Sequence, residues 1–345
     1  YSHEALNRLV GGITPGGNAA LAYDLAGNIV RRAQPDGVAP DHVRDAPDRV
    51  TTLNYRSGAT PLASYGIEYS AAGRRSRVVE NDGADTRYTY DAGGRIATEV
   101  RTGAGARSAS YAYDAVGNRT SVTVGGVATS YSYDSDDRLL SAGAATYSYD
   151  GAGRRVARAG SSPAAFGYDG AGRLATATLG GVATQYGYDA DGNRTLQSDA
   201  AHTQPFPVDA SNPTGFSQVV EQHDAGEVTR FDYLDRALAQ SGVSGTHRYL
   251  QDERGDVRAL LSAGSITDTY RYDAWGTTLA STGATQNPLR YRGEWLDDDS
   301  ALYALRARDY DPAAGRFLTR DPYAGTIAVP VSRHRFLYAG NDPVN

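Results

Sequence analysis

The sequence predicts an all-β chain, a β-hairpin array whose members pair side by side into one long twisted sheet. Three observations carry this. A unit Tyr-x-Tyr-Asp-x-x-Gly-Asn/Arg recurs, with strict Tyr-Asp-x-x-Gly copies beginning at Tyr23, Tyr90, Tyr113, Tyr149, Tyr168, Tyr188 and Tyr272. From Asp91 to Asp189 successive repeat aspartates lie 23, 20, 16, 19 and 20 residues apart, and recurrence at such a period marks a repeat architecture. A longer register is superimposed, because Gly125-Gly-Val-Ala-Thr-Ser-Tyr-Ser-Tyr-Asp134 returns as Gly180-Gly-Val-Ala-Thr-Gln-Tyr-Gly-Tyr-Asp189. Third, no apolar pattern of helical period is sustained over a useful length.

Taken in order, residues 1–60 are the least regular, with Pro35, Pro40 and Pro47 expected in loops. Degenerate units follow at Tyr69, where Ser70 replaces Asp, and at Tyr133, where Asp137 replaces Gly. The physics of one unit is legible around residue 185. Val182, Thr184, Tyr186 and Tyr188 alternate and so share one face of a strand. Gly180-Gly181 before them is a two-residue hairpin loop. After Tyr188, the Asp189 carboxylate can accept backbone N–H groups two residues on, and Gly192 tolerates positive φ. Arg194 and Leu196 then begin the next strand.

Between Ala201 and Gly215 the array is interrupted by Pro205, Pro207 and Pro213. Residues 291–322 are more densely specified than any repeat. Trp295 is an anchor, Asp297-Asp298-Asp299-Ser300 a polar turn, Leu302 to Tyr310 an arginine-rich strand, and Asp311-Pro312 with Gly315 a second turn. The organisation expected is a repeat array over 1–200, further repeat blocks over 201–276 and a core segment over 277–345.

Composition narrows the functional classes. Glycine is 40 of 345 residues, about 12% against a usual ~7%. Tyr numbers 25 against 6 Phe, and Lys, Met and Cys are absent, so all 34 basic residues are Arg. Without Cys there is no disulfide framework and no thiolate metal site, and the redox compartment stays open. A net charge of -6 argues against nucleic acid as a partner. No apolar run approaches the ~18 residues of a membrane span, and no signal peptide is visible. The lack of an initiating Met leads us to expect a piece of a longer protein.

The blocks Asn212-Pro-Thr-Gly-Phe, Arg248-Tyr-Leu-Gln-Asp-Glu-Arg-Gly255, Tyr270-Arg-Tyr-Asp-Ala-Trp-Gly276, residues 291–322 and Asn341-Asp-Pro-Val-Asn345 stand in this order. Together with the Tyr-Asp (YD) repeats they resemble the bacterial Rhs/YD-repeat family of polymorphic toxins. That family also includes the C component of insecticidal Tc toxins and, more distantly, the teneurins. The resemblance implies a spiralling β-ribbon, a segment of a hollow shell that encapsulates and delivers a C-terminal effector. It also implies a core that cuts its own chain at an Asp-Pro-x-Gly-Leu motif. Here Pro343-Val344-Asn345 matches only the start of the family's motif, so the cut site is expected beyond residue 345. Partners implied are the chain's own effector, the rest of the shell and secretion-system components, in a secreted or cell-surface protein, with no cofactor.

Self-cleavage of this kind resembles aspartyl chemistry, in which a carboxylate near a scissile peptide activates water or the amide. The position matching the family's catalytic region is Asp321, with a general acid/base role. Arg320 beside it would hold its charge state or polarise the carbonyl. The plainer alternative makes Asp321 the cap of a turn before Pro322 and pairs Arg320 with a strand carboxylate.

Other constellations are weaker. Asp297–Asp299 and Asp134–Asp137 lack the ligand alternation that Ca²⁺ needs, so solvated turns are expected and no metal. His3, His42, His202, His223, His247 and His334 show no paired ligand spacing. No nucleophile elbow, P-loop or dinucleotide glycine pattern occurs. The arginines at 290, 292, 306, 308 and 316 either bind an anionic glycan or phosphate, or stack on tyrosines and pair with carboxylates. The tyrosine rows pose the same choice between a sugar-binding face, as in a cell-surface adhesin, and half-buried packing.

Overall fold

The structure is a computed structural model that describes residues 1–14, 17–35, 37–212 and 214–345. Among these, regular structure consists of 34 β-strands and three short 3-10 segments, Tyr291–Gly293, Pro330–Arg333 and Ala339–Asn341. The all-β expectation holds. Strands between Ser2 and Pro205 form an antiparallel sheet of 21 strands. The strand Thr203–Pro205 is its last, so the proline-marked interruption coincides with the sheet's end. Of the prolines named there, Pro213 lies outside the described residues. A two-stranded ribbon, a seven-stranded sheet from Glu221 to Thr282 and a four-stranded sheet from Trp295 to Phe317 follow.

Two alternating turns build the ladder. One is the glycine loop: Leu179 pairs with Val182 across Gly180-Gly181, whose φ values of 59° and 90° are the left-handed backbone that such tight hairpins require. The other is the YD turn. Asp114 Oδ1 accepts the N–H groups of Val116, Gly117 and Asn118 at 3.1, 2.8 and 2.8 Å, so one carboxylate satisfies three donors that the reversal strips of ladder partners. Pairing then slips by one residue just before each YD tyrosine, as at Ala112/Tyr113, Ser132/Tyr133, Gly167/Tyr168 and Gly187/Tyr188. A bulge of this kind adds right-handed twist at every repeat.

Two expectations need correction. Pro40 sits inside the strand Ala39–Arg44, opposite Tyr55, instead of in a loop. The ladder with the preceding strand is reduced there to the single pair Arg31–Asp41, so the missing proline N–H disrupts little. Residues 302–310 are two strands, Leu302–Leu305 and Arg308–Asp311, with Leu305 paired to Arg308. Arg306 takes a φ of 57° and makes the reversal that the sequence hides.

By contacts the chain divides into two compact units that are discontinuous in sequence. The first comprises residues 1–85, 204–272 and 278–293, and packs Val38, Leu53, Tyr55, Tyr65, Leu250 and Leu261 into a core. The second comprises 86–203, 273–277 and 294–345. Its cores gather Ile96, Tyr111, Trp275 and Val344 in one cluster, and Leu174, Tyr186, Leu302 and Leu318 in another.

Candidate functional site

The tyrosine rows are packed, and most of the YD tyrosines have their hydroxyls bound to backbone. Four YD tyrosines donate to a carbonyl at the start of the strand preceding their own: Tyr113 to Ile96, Tyr133 to Arg119, Tyr168 to Arg155 and Tyr188 to Leu174, at 2.7–2.8 Å. The exposed ring face is covered too. Arg95, Arg154 and Arg173 lie over Tyr113, Tyr168 and Tyr188 at 4.8, 4.8 and 4.7 Å from the ring centres. The same arginines bind the repeat aspartates Asp91, Asp150 and Asp169, each at 2.7 Å. Tyrosine, aspartate and arginine of the repeat are therefore one polar lattice.

A second arginine behaves differently. Where Gly is followed by Arg-Arg or Asn-Arg, alternation sends the second side chain to the opposite face. In the first unit this is Arg75, which pairs with Glu253. In the second unit, Arg155 reaches Asp311 and Arg194 reaches Asp309, both at 2.6 Å. Arg119 donates to the Ala314 carbonyl at 2.8 Å and lies over Trp275. Three arginines from separate repeats thus converge on residues 309–314. Burial raises the pKa of the Asp309 carboxyl, and Arg194 offsets part of that rise.

The rest of the core segment is anchored as densely. Tyr310, fully buried, donates to the Trp275 carbonyl at 2.7 Å, and Tyr303 donates to that of Gly276 at 3.1 Å. Trp295 is buried, as its anchoring role requires. The 297–300 turn is only partly solvated. Asp298 and Asp299 face outward, but Asp297 is buried and accepts from Tyr186, Ser300 and Gln197. A lone aspartate run gives no hint of which member turns inward.

Asp321 and Arg320 take different partners. Asp321 Oδ2 pairs with Arg308 at 2.8 Å, and Oδ1 accepts the Tyr323 N–H at 2.9 Å. Its backbone N–H donates to the Arg335 carbonyl at 2.7 Å, and its carbonyl accepts from Arg335 Nε at 2.6 Å. Arg320 instead pairs with Asp136 of a YD turn at 2.7 Å. The guanidinium beside Asp321 is therefore Arg308, 13 residues earlier in the chain and brought there by no local rule that a sequence displays. The remaining core arginines stack or pair: Arg290 over Tyr270, Arg292 over Tyr291, Arg316 over Tyr133 and Arg306 with Glu294.

Among the described residues no group of three or more His, Asp or Glu side chains could hold a metal ion. His334 Nε2 meets Asn118 Oδ1 at 2.9 Å, and burial, reinforced by Arg316, pushes this histidine down to about 4. No helix among the described residues is long and apolar enough to cross a membrane.

A family model described as the teneurin YD-shell matches residues 3–344. The tRNA3(Ser)-specific nuclease WapA of Bacillus spizizenii is 30% identical over 246 residues, which are 68% of this chain and 9% of that protein. Teneurin-1 of Gallus gallus is 28% identical over 245 residues, with the same shares of 68% and 9%. The double-stranded DNA deaminase toxin A of Burkholderia cenocepacia is 29% identical over 174 residues, 41% of this chain and 12% of the toxin. A crystal structure of TcdB2-TccC3-Cdc42 has the same fold, with a TM-score of 0.51 at 17% identity over 95% of this chain and 21% of that one. The chain spans roughly a tenth of the length of the curated relatives it matches, so what those proteins do as wholes is not carried by this segment alone.

Proposed function

Because the chain belongs to the teneurin YD-shell family, we propose that it is a wall segment of an Rhs-type toxin shell that encapsulates a C-terminal effector. The observation that carries this reading is the convergence of Arg119, Arg155 and Arg194 on residues 309–314. A free-standing enzyme would use such arginines at an open cleft. Here Arg119 and Arg155 are buried and Arg194 is half-buried, bolting the core segment to the repeats, which is the work of a container. The relatives named as a tRNA nuclease and as a DNA deaminase toxin act on different substrates, as a common container with exchangeable cargo would. On this reading the partners are the effector, the rest of the shell and a secretion apparatus, and the protein is secreted or displayed at the cell surface. Residues 1–200, 201–276 and 277–345 serve as repeat wall, further repeat blocks and core.

The same reading assigns self-cleavage beyond residue 345 to the core, with Asp321 as general acid/base; the support expected of Arg320 would require it to leave Asp136. Arg308, at 2.8 Å, joins them as the group that orients the Asp321 carboxylate. The packing of the tyrosine rows, stacked and hydroxyl-bonded, leaves little for a sugar to bind, and the adhesin reading gains no support.

The test uses the polypeptide from the full gene, run on a denaturing gel beside its Asp321→Asn variant with intact masses for each band. Cleavage shortly after residue 345 in the parent and none in the variant is the expected result. Equal cleavage in both removes Asp321 from the chemistry. No cleavage in either ends the self-processing reading.

A further inference from the structure

One YD turn is wired unlike those that an arginine closes. Asp273 Oδ1 accepts the N–H groups of Trp275 and Thr277 at 3.0 and 2.9 Å, as a turn aspartate should. At Asp91, Asp134, Asp150 and Asp169 the residue four places on is an arginine that pairs with the turn carboxylate. After Asp273 that place holds Thr277, which carries no charge. The guanidinium comes instead from Arg107, 3.6 Å from Asp273 Oδ2 and already bound to Glu99 at 2.5 Å. Two carboxylates share one cation. Glu99 also accepts the Ala274 backbone N–H and faces the Tyr111 hydroxyl at 3.4 Å. Arg119, lying over Trp275, is the further charge that acts on Asp273 and Tyr111. Every one of these groups belongs to the second compact unit.

The position of the turn gives this arrangement consequences. Ala274 and Trp275 pack in one cluster with Ile96, Ala109, Tyr111 and Val344, and Val344 is fully buried there. Tyr303 and Tyr310 donate to the carbonyls of Gly276 and Trp275. Loosening the turn therefore disturbs both the core segment and the seat of Val344.

We propose that Glu99, Arg107 and Asp273 form a proton-operated latch, in which one proton shared by the two carboxylates fastens the 273–277 turn and its loss loosens the turn. The inference stands apart from the effector reading and does not depend on it. Two acids ion-paired to a single guanidinium, with Arg119 acting on them only through space, crowd two negative charges in a dry site, and such a pair takes up a proton as a unit. Burial first, and then Asp273, push Glu99 up to about 7. A folded-state pKa raised above the ordinary value of 4.5 makes stabilisation full below about pH 4.5 and lost as pH rises through about 7. The latch is closed in acid and loosened in mild alkali.

Hydrogen–deuterium exchange of the intact chain reads this directly, on peptides covering residues 273–277 after correction for intrinsic exchange rates. From about pH 5.5 to about pH 8.5 the opening equilibrium should rise roughly thirtyfold, as a pKa moved from about 4.5 to about 7 dictates. Glu99→Gln should abolish that dependence. Asp273→Asn, whose amide oxygen still caps the turn, should move the midpoint to lower pH by removing the like charge. A parent change below about threefold, or the same dependence in Glu99→Gln, overturns the proposal. Should Glu99→Gln not fold, the Asp273→Asn midpoint decides, and an unmoved midpoint overturns it.

Discussion

Removing Arg155 tests whether the core segment is held by buried ion pairs. The Arg155 side chain is 1% exposed and its Asp311 partner 6%. Asp311 Oδ1 also accepts the N–H groups of Ala313 and Ala314 at 3.0 and 3.1 Å, and Arg155 stacks on Tyr147 at 4.8 Å. Arg155→Met keeps most of the volume and strands a carboxylate in a dry interior, which costs about 3–5 kcal/mol. Asp311→Asn in the same chain removes that charge and keeps the turn cap, so the double variant should recover about half or more of the loss. Trp275 and Trp295 both lie in the second unit, so intrinsic tryptophan fluorescence during urea unfolding reports that unit selectively. The cycle is read as midpoint shifts at constant m-value. A single-variant loss below about 1 kcal/mol, or a double variant worse than Arg155→Met alone, refutes the idea that charge pairing holds the hairpin. Simple packing would then be its anchor.

Two further substitutions probe the lattice. Tyr188→Phe deletes the hydroxyl that donates to the Leu174 carbonyl at 2.8 Å, and should cost about 1 kcal/mol by the same urea assay. The exposed Tyr323 changed to Phe should stay within about 0.5 kcal/mol of the parent. Gly315→Ala places a methyl 2.9 Å from both Arg119 and the Trp275 ring, at a φ of 66°. Backbone strain and overpacking together predict a loss of about 2–4 kcal/mol, visible in the same fluorescence transition. A neutral Gly315→Ala would mean that the 311–315 turn can move off Trp275.

Repeat turns were legible before any coordinates, because their chemistry is local. Asp, Gly and the arginine four places after Asp91 or Asp150 meet within one turn, and neighbours in sequence are neighbours in space. Alternation likewise places Thr184 and Tyr186 on the buried face. The reversal at Arg306 was not legible, because no glycine or asparagine announces its positive φ. Nor were the partners of Asp321: proximity in sequence suggested Arg320, yet the guanidinium that arrives is Arg308.

What the sequence alone determined is the hairpin array, its turn chemistry and its family, since each depends on residues a few places apart. What only the tertiary structure decided is where the second arginine of each repeat goes. Arg155 and Asp311, or Arg194 and Asp309, lie more than a hundred residues apart, and no periodicity links an arginine in a repeat to a carboxylate in the core segment. Burial makes the choice. A charge turned inward by strand alternation must find its counter-charge in the interior or leave the fold unstable. In the second unit that counter-charge is supplied by the strand Arg308–Asp311.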